Sequence, residues 1–427
     1  MMKINLVTLG CSKNIVDSEK LAFAVDGYEF VFDQNNYEAK IVIVNTCGFI
    51  QDAKEESIDT ILHFVNAKKK GLIDKVFVMG CLSQRYKDEL QVEMPEVDYF
   101  FGVNDLDEIL KVLQSERKKG LDRQFINKQK HYAYLKIAEG CDRSCSFCAI
   151  PIIRGQHKSV PMDVLIQEAE LLAKKGVKEL ILVAQDLTYY GLDLYKKASL
   201  SDLLKKLVNI SGIEWIRLQY SYPVFFSDAL IETIKNQPKI CNYIDIPFQH
   251  ISSHMLRRMR RGYDKNDALL ILNKLRKEIP KVMIRTTLLV GHPGETAADY
   301  AELLQLVKEF EFDRLGVFTY SHEEGTYSYI NYEDSIPDEV KLERMEELMS
   351  VQEEISFRNN QKFIGETMTV IIDRVEPDYI IGRTEYDSPE VDNEVLIKNN
   401  QDVQPREFRQ VRILEATEFD LFGEIVK

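Results

Sequence analysis

The chain has 427 residues, 45% hydrophobic and 29% charged, which is ordinary globular composition with length for two to four domains. Its 55 basic and 69 acidic residues give a formal net charge of −14, which argues against broad nucleic-acid binding by phosphate neutralisation and makes a basic protein partner easier to accommodate. No apolar run approaches the roughly 18 residues of a membrane span, the start MMKINLVTLGC carries no expected signal peptide, and seven cysteines in so long a chain do not make a disulfide scaffold, so a cytoplasmic protein with reduced thiols and no membrane contact is expected.

Residues 1–113 read as an N-terminal parallel α/β domain. INLVTLG, AKIVIVNT and DKVFVMG are short apolar runs of the kind buried on both faces of a parallel sheet, separated by amphipathic stretches such as DAKEESIDTILHFVNAKKKG. Cys11, Cys47 and Cys81 each follow one of these runs, 36 and 34 residues apart, about one βα unit each. Ligands in open α/β sheets bind outside the carboxyl ends of the strands, so three such cysteines can converge on one point. The competing reading makes each a small apolar residue at a strand end; the repetition, each time beside Gly10, Thr46 with Gly48, or Gly80, favours a metal-cluster site.

Residues 114–130, QSERKKGLDRQFINKQK, are polar and aperiodic and read as a linker. Six strand candidates alternate with helical stretches over 131–336, which predicts a partial (β/α)6 barrel with its chemistry at the carboxyl ends of the strands. After the first of them comes EGCDRSCSFCAIP, with Cys141, Cys145 and Cys148 in C-x3-C-x2-C spacing. Three thiolates in a tight loop can hold three irons of a 4Fe–4S cluster and leave the fourth iron open to a small molecule. A structural zinc site would ask for four ligands in two pairs, and a low-potential ferredoxin for four cysteines in another order. The spacing resembles the signature of radical S-adenosylmethionine enzymes. In these the open iron chelates the methionine moiety, and electron transfer yields a 5′-deoxyadenosyl radical.

Residues 337–360 predict a charged connecting helix with i,i+4 pairing. Residues 361–427 alternate at period two between Gly, Asp, Asn and Pro breaks, which predicts a small antiparallel β-barrel domain. From residue 361 onward 8 basic and 15 acidic residues leave −7, half the net charge of the chain.

Over essentially its full length the chain resembles the methylthiotransferase family. The resemblance is carried by TLGCSKNIVDSE, NTCGFIQDAKEESI, MGCLSQRY, MPEVDYFFG, the cysteine loop, LVAQDLTYYG, RLQYSYP, DIPFQHIS and VGHPGET. It implies an N-terminal methylthiotransferase domain, a radical SAM barrel and a C-terminal TRAM domain. It also implies two 4Fe–4S clusters, one on Cys11, Cys47 and Cys81 that supplies sulfur, and one on Cys141, Cys145 and Cys148 that makes the radical from S-adenosylmethionine. Within the family the match is to the branch that modifies the β-carbon of an aspartate in small-subunit ribosomal protein S-twelve. Relatives that modify tRNA adenosine read GQN where this chain has Ala184, Gln185 and Asp186, and the acidic β-domain suits a basic protein better than RNA. A basic ribosomal protein and a reductant protein are the implied partners, with possible ribosome association and a monomeric enzyme. Gln185 and Asp186 are candidates for polar contacts to S-adenosylmethionine, and Gly291 and Gly294 for close backbone approach to its adenosine, against the alternative of a tight turn. Two departures are Val160, where the family has Arg, and Asn393, where a turn Gly is usual. The alternatives are the same chemistry on tRNA, or a non-catalytic iron–sulfur protein bound to the ribosome. Cys241 and Trp215 read as core, His250, His254, His292 and His322 as structural, and LRRMRRG at 256–262 as a solvated helix face.

Overall fold

The computed structural model describes residues 2–33, 36–126, 131–399 and 401–426. The chain folds as two compact units, the first from the described residues of 1–128, 139–142 and 148–158, the second from the described residues of 129–138, 143–147 and 159–427. Of the cysteine loop, Cys141 and Cys148 belong to the first unit and Cys145 to the second.

In the first unit five parallel strands run in the order Tyr28–Val31, Met2–Thr8, Ile41–Thr46, Lys75–Gly80, Tyr99–Phe100. Successive side chains enter opposite cores, as the period-two geometry of a strand requires. Val42, Val44, Val76 and Val78 pack with Ile61, Phe64 and Leu90 on one face. Ile43, Phe77 and Met79 pack with Leu21, Ile109 and Leu113 on the other. Helices Ser12–Ala24 and Leu106–Leu113 cover one face, Gln51–Lys69 and Cys81–Glu93 the other. Residues 114–126, read from sequence as part of a free linker, dock on this unit. Lys118 N donates to Ala24 O at 2.9 Å, Gln124 N to Glu19 O at 3.1 Å, and buried Arg123 pairs with Glu19 at 3.4 Å. Long polar side chains with buried ion partners are what made this stretch look solvated. The last four residues of the expected linker, 127–130, lie outside the described residues.

The second unit holds six parallel strands in sequential order: Tyr132–Lys136, Glu179–Val183, Trp215–Leu218, Ile240–Asp245, Met283–Val290 and Arg314–Thr319. The first and last do not pair with each other, so the barrel is open. Two of its helices, Lys265–Glu278 and Ala297–Phe310, start on capping boxes, Asp264 with Asp267 and Thr296 with Asp299, each satisfying two orphan backbone donors. Helix Asp338–Gln361 packs against the last strand and leads into a closed five-stranded barrel, Thr367–Val375, Tyr379–Thr384, Glu394–Lys398, Asp420–Ile425 and Phe408–Ala416. Val370, Ile372, Ile380, Val395, Ile397, Val411 and Ile413 fill it. The left-handed turn position expected at Asn393 falls at Glu390 instead, at φ 71°.

An ionic network fastens the small barrel to the large one. Glu179, fully buried, accepts from Arg217 Nε at 2.7 Å and from Arg383 Nη2 at 2.9 Å. Arg383 Nε also donates to Asp373 at 2.7 Å, which His131 meets at 2.5 Å. Beside this network Trp215, Cys241 and Tyr243 form an apolar contact with Ile371 and Tyr386.

Candidate functional site

In the first unit Cys11, Cys47 and Cys81 stand at the carboxyl ends of three adjacent strands and interact electrostatically with one another. Two glycines allow this approach. A Cβ on Gly10 (φ +81°) would meet Cys47 Cβ at 2.7 Å, and one on Gly80 (φ +102°) would meet Asn45 Oδ1 at 2.4 Å. Cys11 caps helix Ser12–Ala24 and Cys81 opens helix Cys81–Glu93. Asn14, fully buried, ties the ends together, donating to Leu9 O at 2.8 Å and Thr46 O at 3.1 Å.

Arg154 is the residue of this site that sequence reasoning missed. Its Nη2 donates to Asn14 Oδ1 at 2.6 Å and to Cys81 Sγ at 3.4 Å, while Nη1 reaches Asp17 at 3.1 Å and Glu139 at 2.9 Å. Burial opposes ionisation of the Cys11 thiol, but Lys13 and Arg154 outweigh it and hold its pKa below the ordinary value. Burial pushes Cys47 up, and Cys81 up to about 11 against the pull of Arg154. One thiol inclined to ionise beside two that are not is a donor set that a bound cation would relieve, since thiolate ligation and proton release go together. The residues present therefore fit an iron–sulfur group.

The loop carrying the other three cysteines is anchored at both ends. In the first unit Cys141 N donates to Gly155 O at 3.0 Å, and Gly140 (φ +70°) lies where a Cβ would be 2.2 Å from Gln156 O. In the second unit Ser146 N donates to Met259 O at 2.9 Å and Ser328 N to Ser146 O at 2.7 Å. Phe147 packs with Met255, Met259, Leu289 and Tyr320. Buried His292 places Nε2 3.0 Å from Ser146 Oγ and 2.9 Å from Ser328 Oγ, with Nδ1 3.1 Å from Pro293 O. Burial pushes its pKa down to about 3, so the ring is neutral; Nδ1–H donates to the carbonyl and Nε2 accepts from the serines. The three loop cysteines are half-buried. Among the described residues no three or more His, Cys, Asp or Glu converge as a cage for a single metal ion, so the case at both cysteine sets rests on donor type, placement and charge.

The residues singled out as cofactor contacts fare differently. Asp186 lies three residues past strand Glu179–Val183, caps the short turn Leu187–Tyr189, and accepts from Arg143 Nε at 3.0 Å and Nη2 at 2.8 Å, from Thr188 Oγ1 at 2.6 Å and from Tyr189 N at 3.2 Å. It orients Arg143, the middle of the three residues between Cys141 and Cys145. Gln185 is half-buried beside it. Gly291 and Gly294 both have positive φ, but the space in front of them is taken. A Cβ would meet Lys341 Cγ at 2.3 Å and Arg258 Nε at 2.3 Å, respectively. Both glycines hold a turn with a side chain packed against it. The turn is held by Gly291 N donating to Glu295 Oε2 at 2.6 Å, and Glu295 in turn meets His250 at 3.1 Å. The run 256–262 is not a solvated face throughout, because Arg261 turns inward to Cys145. Val160, at the other departure, pairs its backbone N with Ile137 O at 2.8 Å.

Comparison with known proteins agrees with this architecture. The chain matches the Radical SAM superfamily over residues 135–307, the uncharacterized protein family UPF0004 over 3–102 and the TRAM domain over 364–426. It is 54% identical to the ribosomal protein uS12 methylthiotransferase RimO of Cytophaga hutchinsonii, covering 100% of this chain and 98% of that protein. The protein of the same name from Christiangramia forsetii is 54% identical, covering 99% and 94%, and that from Bacteroides fragilis is 50% identical, covering 99% and 99%. Among solved structures, the radical S-adenosylmethionine methyltransferase TsrM of Kitasatospora setae shares the fold with a TM-score of 0.54 at 13% identity, covering 75% of each chain. Among the described residues no helix is long and apolar enough to cross a membrane. With relatives this similar over the whole length, and with the barrel and cysteine loop in place, the chain belongs to the RimO family of radical SAM methylthiotransferases.

Proposed function

We propose that this enzyme adds a methylthio group to the β-carbon of an aspartate in small-subunit ribosomal protein uS12, using two 4Fe–4S clusters. The curated relatives are named for uS12, and the acidic C-terminal barrel, at −7, suits a basic protein partner. We assign one cluster to Cys141, Cys145 and Cys148 and the other to Cys11, Cys47 and Cys81. The observation that carries the second assignment is the gathering of three strand-end cysteines around buried Asn14 and Arg154.

When bound, the clusters supply one-electron cleavage of S-adenosylmethionine at one site and a place for sulfur at the other. The chain's own contribution is to hold the ligands. Asp186 orients Arg143, neutral His292 fixes Ser146, and Arg154 holds Cys81. A radical suits the target because the β-hydrogen of an aspartate is too weakly acidic for a side-chain base to remove. The domain division 1–113, 131–336 and 361–427, with a connecting helix, remains our assignment, as do a monomeric cytoplasmic enzyme and a reductant protein as electron donor.

The test is anaerobic incubation of the iron-loaded enzyme with isolated small subunits and tRNA, S-adenosylmethionine, sulfide and a strong reductant. The reading predicts 5′-deoxyadenosine together with a methylthio aspartate in uS12. Methylthio adenosine in tRNA under the same conditions, with uS12 unchanged, would contradict it.

A further inference from the structure

Arg261 lies three residues beyond helix Ser253–Arg258. Arg260 adopts φ 57° and turns the chain, so that its own guanidinium lies over Tyr327 at 4.3 Å while the next side chain points inward. Arg261 is 6% exposed. Its Nη2 donates to Pro247 O at 2.6 Å, Nε to Tyr263 Oη at 3.3 Å and Nη1 to Cys145 Sγ at 3.2 Å. The guanidinium also packs over the rings of Tyr222 at 4.5 Å and Tyr263 at 5.6 Å.

None of these partners is an anion, and among the described residues no carboxylate pairs with Arg261. The other buried arginines differ: Arg154 has Asp17 and Glu139, Arg217 and Arg383 share Glu179, and Arg314 has Asp387. A buried guanidinium without a counter-charge is costly. The negative charge it lacks must come from what binds where it points, and it points at Cys145. Here the Cys145 sulfur stands for the thiolate that an iron would take. Ligation of a group that carries net negative charge would supply the missing partner.

We infer that Arg261 is a positioning residue that holds Cys145 and raises the reduction potential of the iron–sulfur group bound at Cys141, Cys145 and Cys148. The inference rests on the assignment of that group to these cysteines. A cation that donates to a cysteinyl sulfur stabilises the reduced, more negative cluster over the oxidised one. Hydrogen bonds to the sulfurs and local charge are among the terms that set such potentials. Arg261 would thus ease entry of the single electron that S-adenosylmethionine cleavage consumes.

The test uses full-length protein with Cys11, Cys47 and Cys81 replaced by Ala, so that one cluster remains, titrated anaerobically with dithionite and followed by electron paramagnetic resonance. Arg261→Gln should lower the equilibrium constant for one-electron reduction about tenfold or more, a potential about 59 mV more negative. Arg261→Lys, which keeps the charge and loses the fork, should fall between Gln and the parent. A full cluster with an unmoved potential in Arg261→Gln overturns the inference and leaves the cysteine assignment standing. A parent protein that holds no iron overturns the assignment and the inference together. Should Arg261→Gln fail to fold, the parent carrying a heavy-nitrogen label on its arginine guanidinium groups decides. Coupling of that nitrogen to the reduced cluster in pulsed spectra is expected, and its absence overturns the inference.

Discussion

Arg154 and Cys81 are 73 residues apart in sequence, yet Arg154 Nη2 donates to Cys81 Sγ at 3.4 Å. The same guanidinium holds Asn14, Asp17 and Glu139, so one side chain orients a cysteine and balances two carboxylates. Arg154→Met should therefore act twice. It leaves Asp17 and Glu139 without their buried partner, which should destabilise the first unit by about 3 kcal/mol. It should also weaken iron retention at Cys11, Cys47 and Cys81 by roughly tenfold or more, the usual effect of losing an outer-shell contact. Urea unfolding and iron counts, with Cys141, Cys145 and Cys148 changed to Ala, measure the two effects separately. Undiminished iron would show that Arg154 plays no part in holding the group.

Asp186 presents the same logic at the other loop. Asp186→Asn keeps the shape and removes the charge that holds Arg143. Formation of 5′-deoxyadenosine should fall by roughly 10–100-fold with the fold intact by circular dichroism. A rate equal to the parent would mean that Arg143 needs no orientation from this carboxylate.

His292 gives a pH dependence. Burial lowers its pKa to about 3, below the roughly 6.5 of an exposed histidine. Its contribution to stability is fully present above the unfolded pKa and is lost as pH falls from about 6.5 toward about 3, a change of roughly 5 kcal/mol. Acid unfolding of the parent should show this loss. His292→Gln, which cannot titrate, should be less stable at neutral pH and should have a shallower slope across that window. Equal slopes would contradict the buried neutral ring.

Glu179 joins the small barrel to the large one through Arg217 and Arg383, with all three side chains buried. Glu179→Gln leaves two guanidinium groups short of charge and should cost about 3–5 kcal/mol. Limited proteolysis should then release a fragment containing the C-terminal barrel sooner than in the parent. An unchanged digestion pattern would mean that the apolar contact around Trp215 and Tyr386 alone holds the barrel.

The parts that were legible in the sequence are those with a local period. Apolar runs located the strands, and cysteines recurring after three of them pointed to one candidate site, because strand ends in a parallel sheet point the same way. The loop spacing pointed to the other candidate site. The residues that support these sites were not legible, because their partners are remote. Arg154 reaches Asn14 across 140 residues, and Arg261 reaches Cys145 across 116 from within a run whose charge pattern suggests a solvated helix. That Lys341 and Arg258 pack against Gly291 and Gly294 was likewise not legible, because only the folded chain brings them together. Asp186 was recognised as a polar residue at the right strand end, but its partner turned out to be Arg143 of the cysteine loop.

The most direct measurement is the intact mass and fragment spectrum of ribosomal protein uS12 from a strain lacking this protein, compared with its parent. The account predicts that uS12 of the parent carries one methylthio group in place of a β-hydrogen of an aspartate, and that the group is missing in the deletion strain. A uS12 still modified in the deletion strain would contradict it.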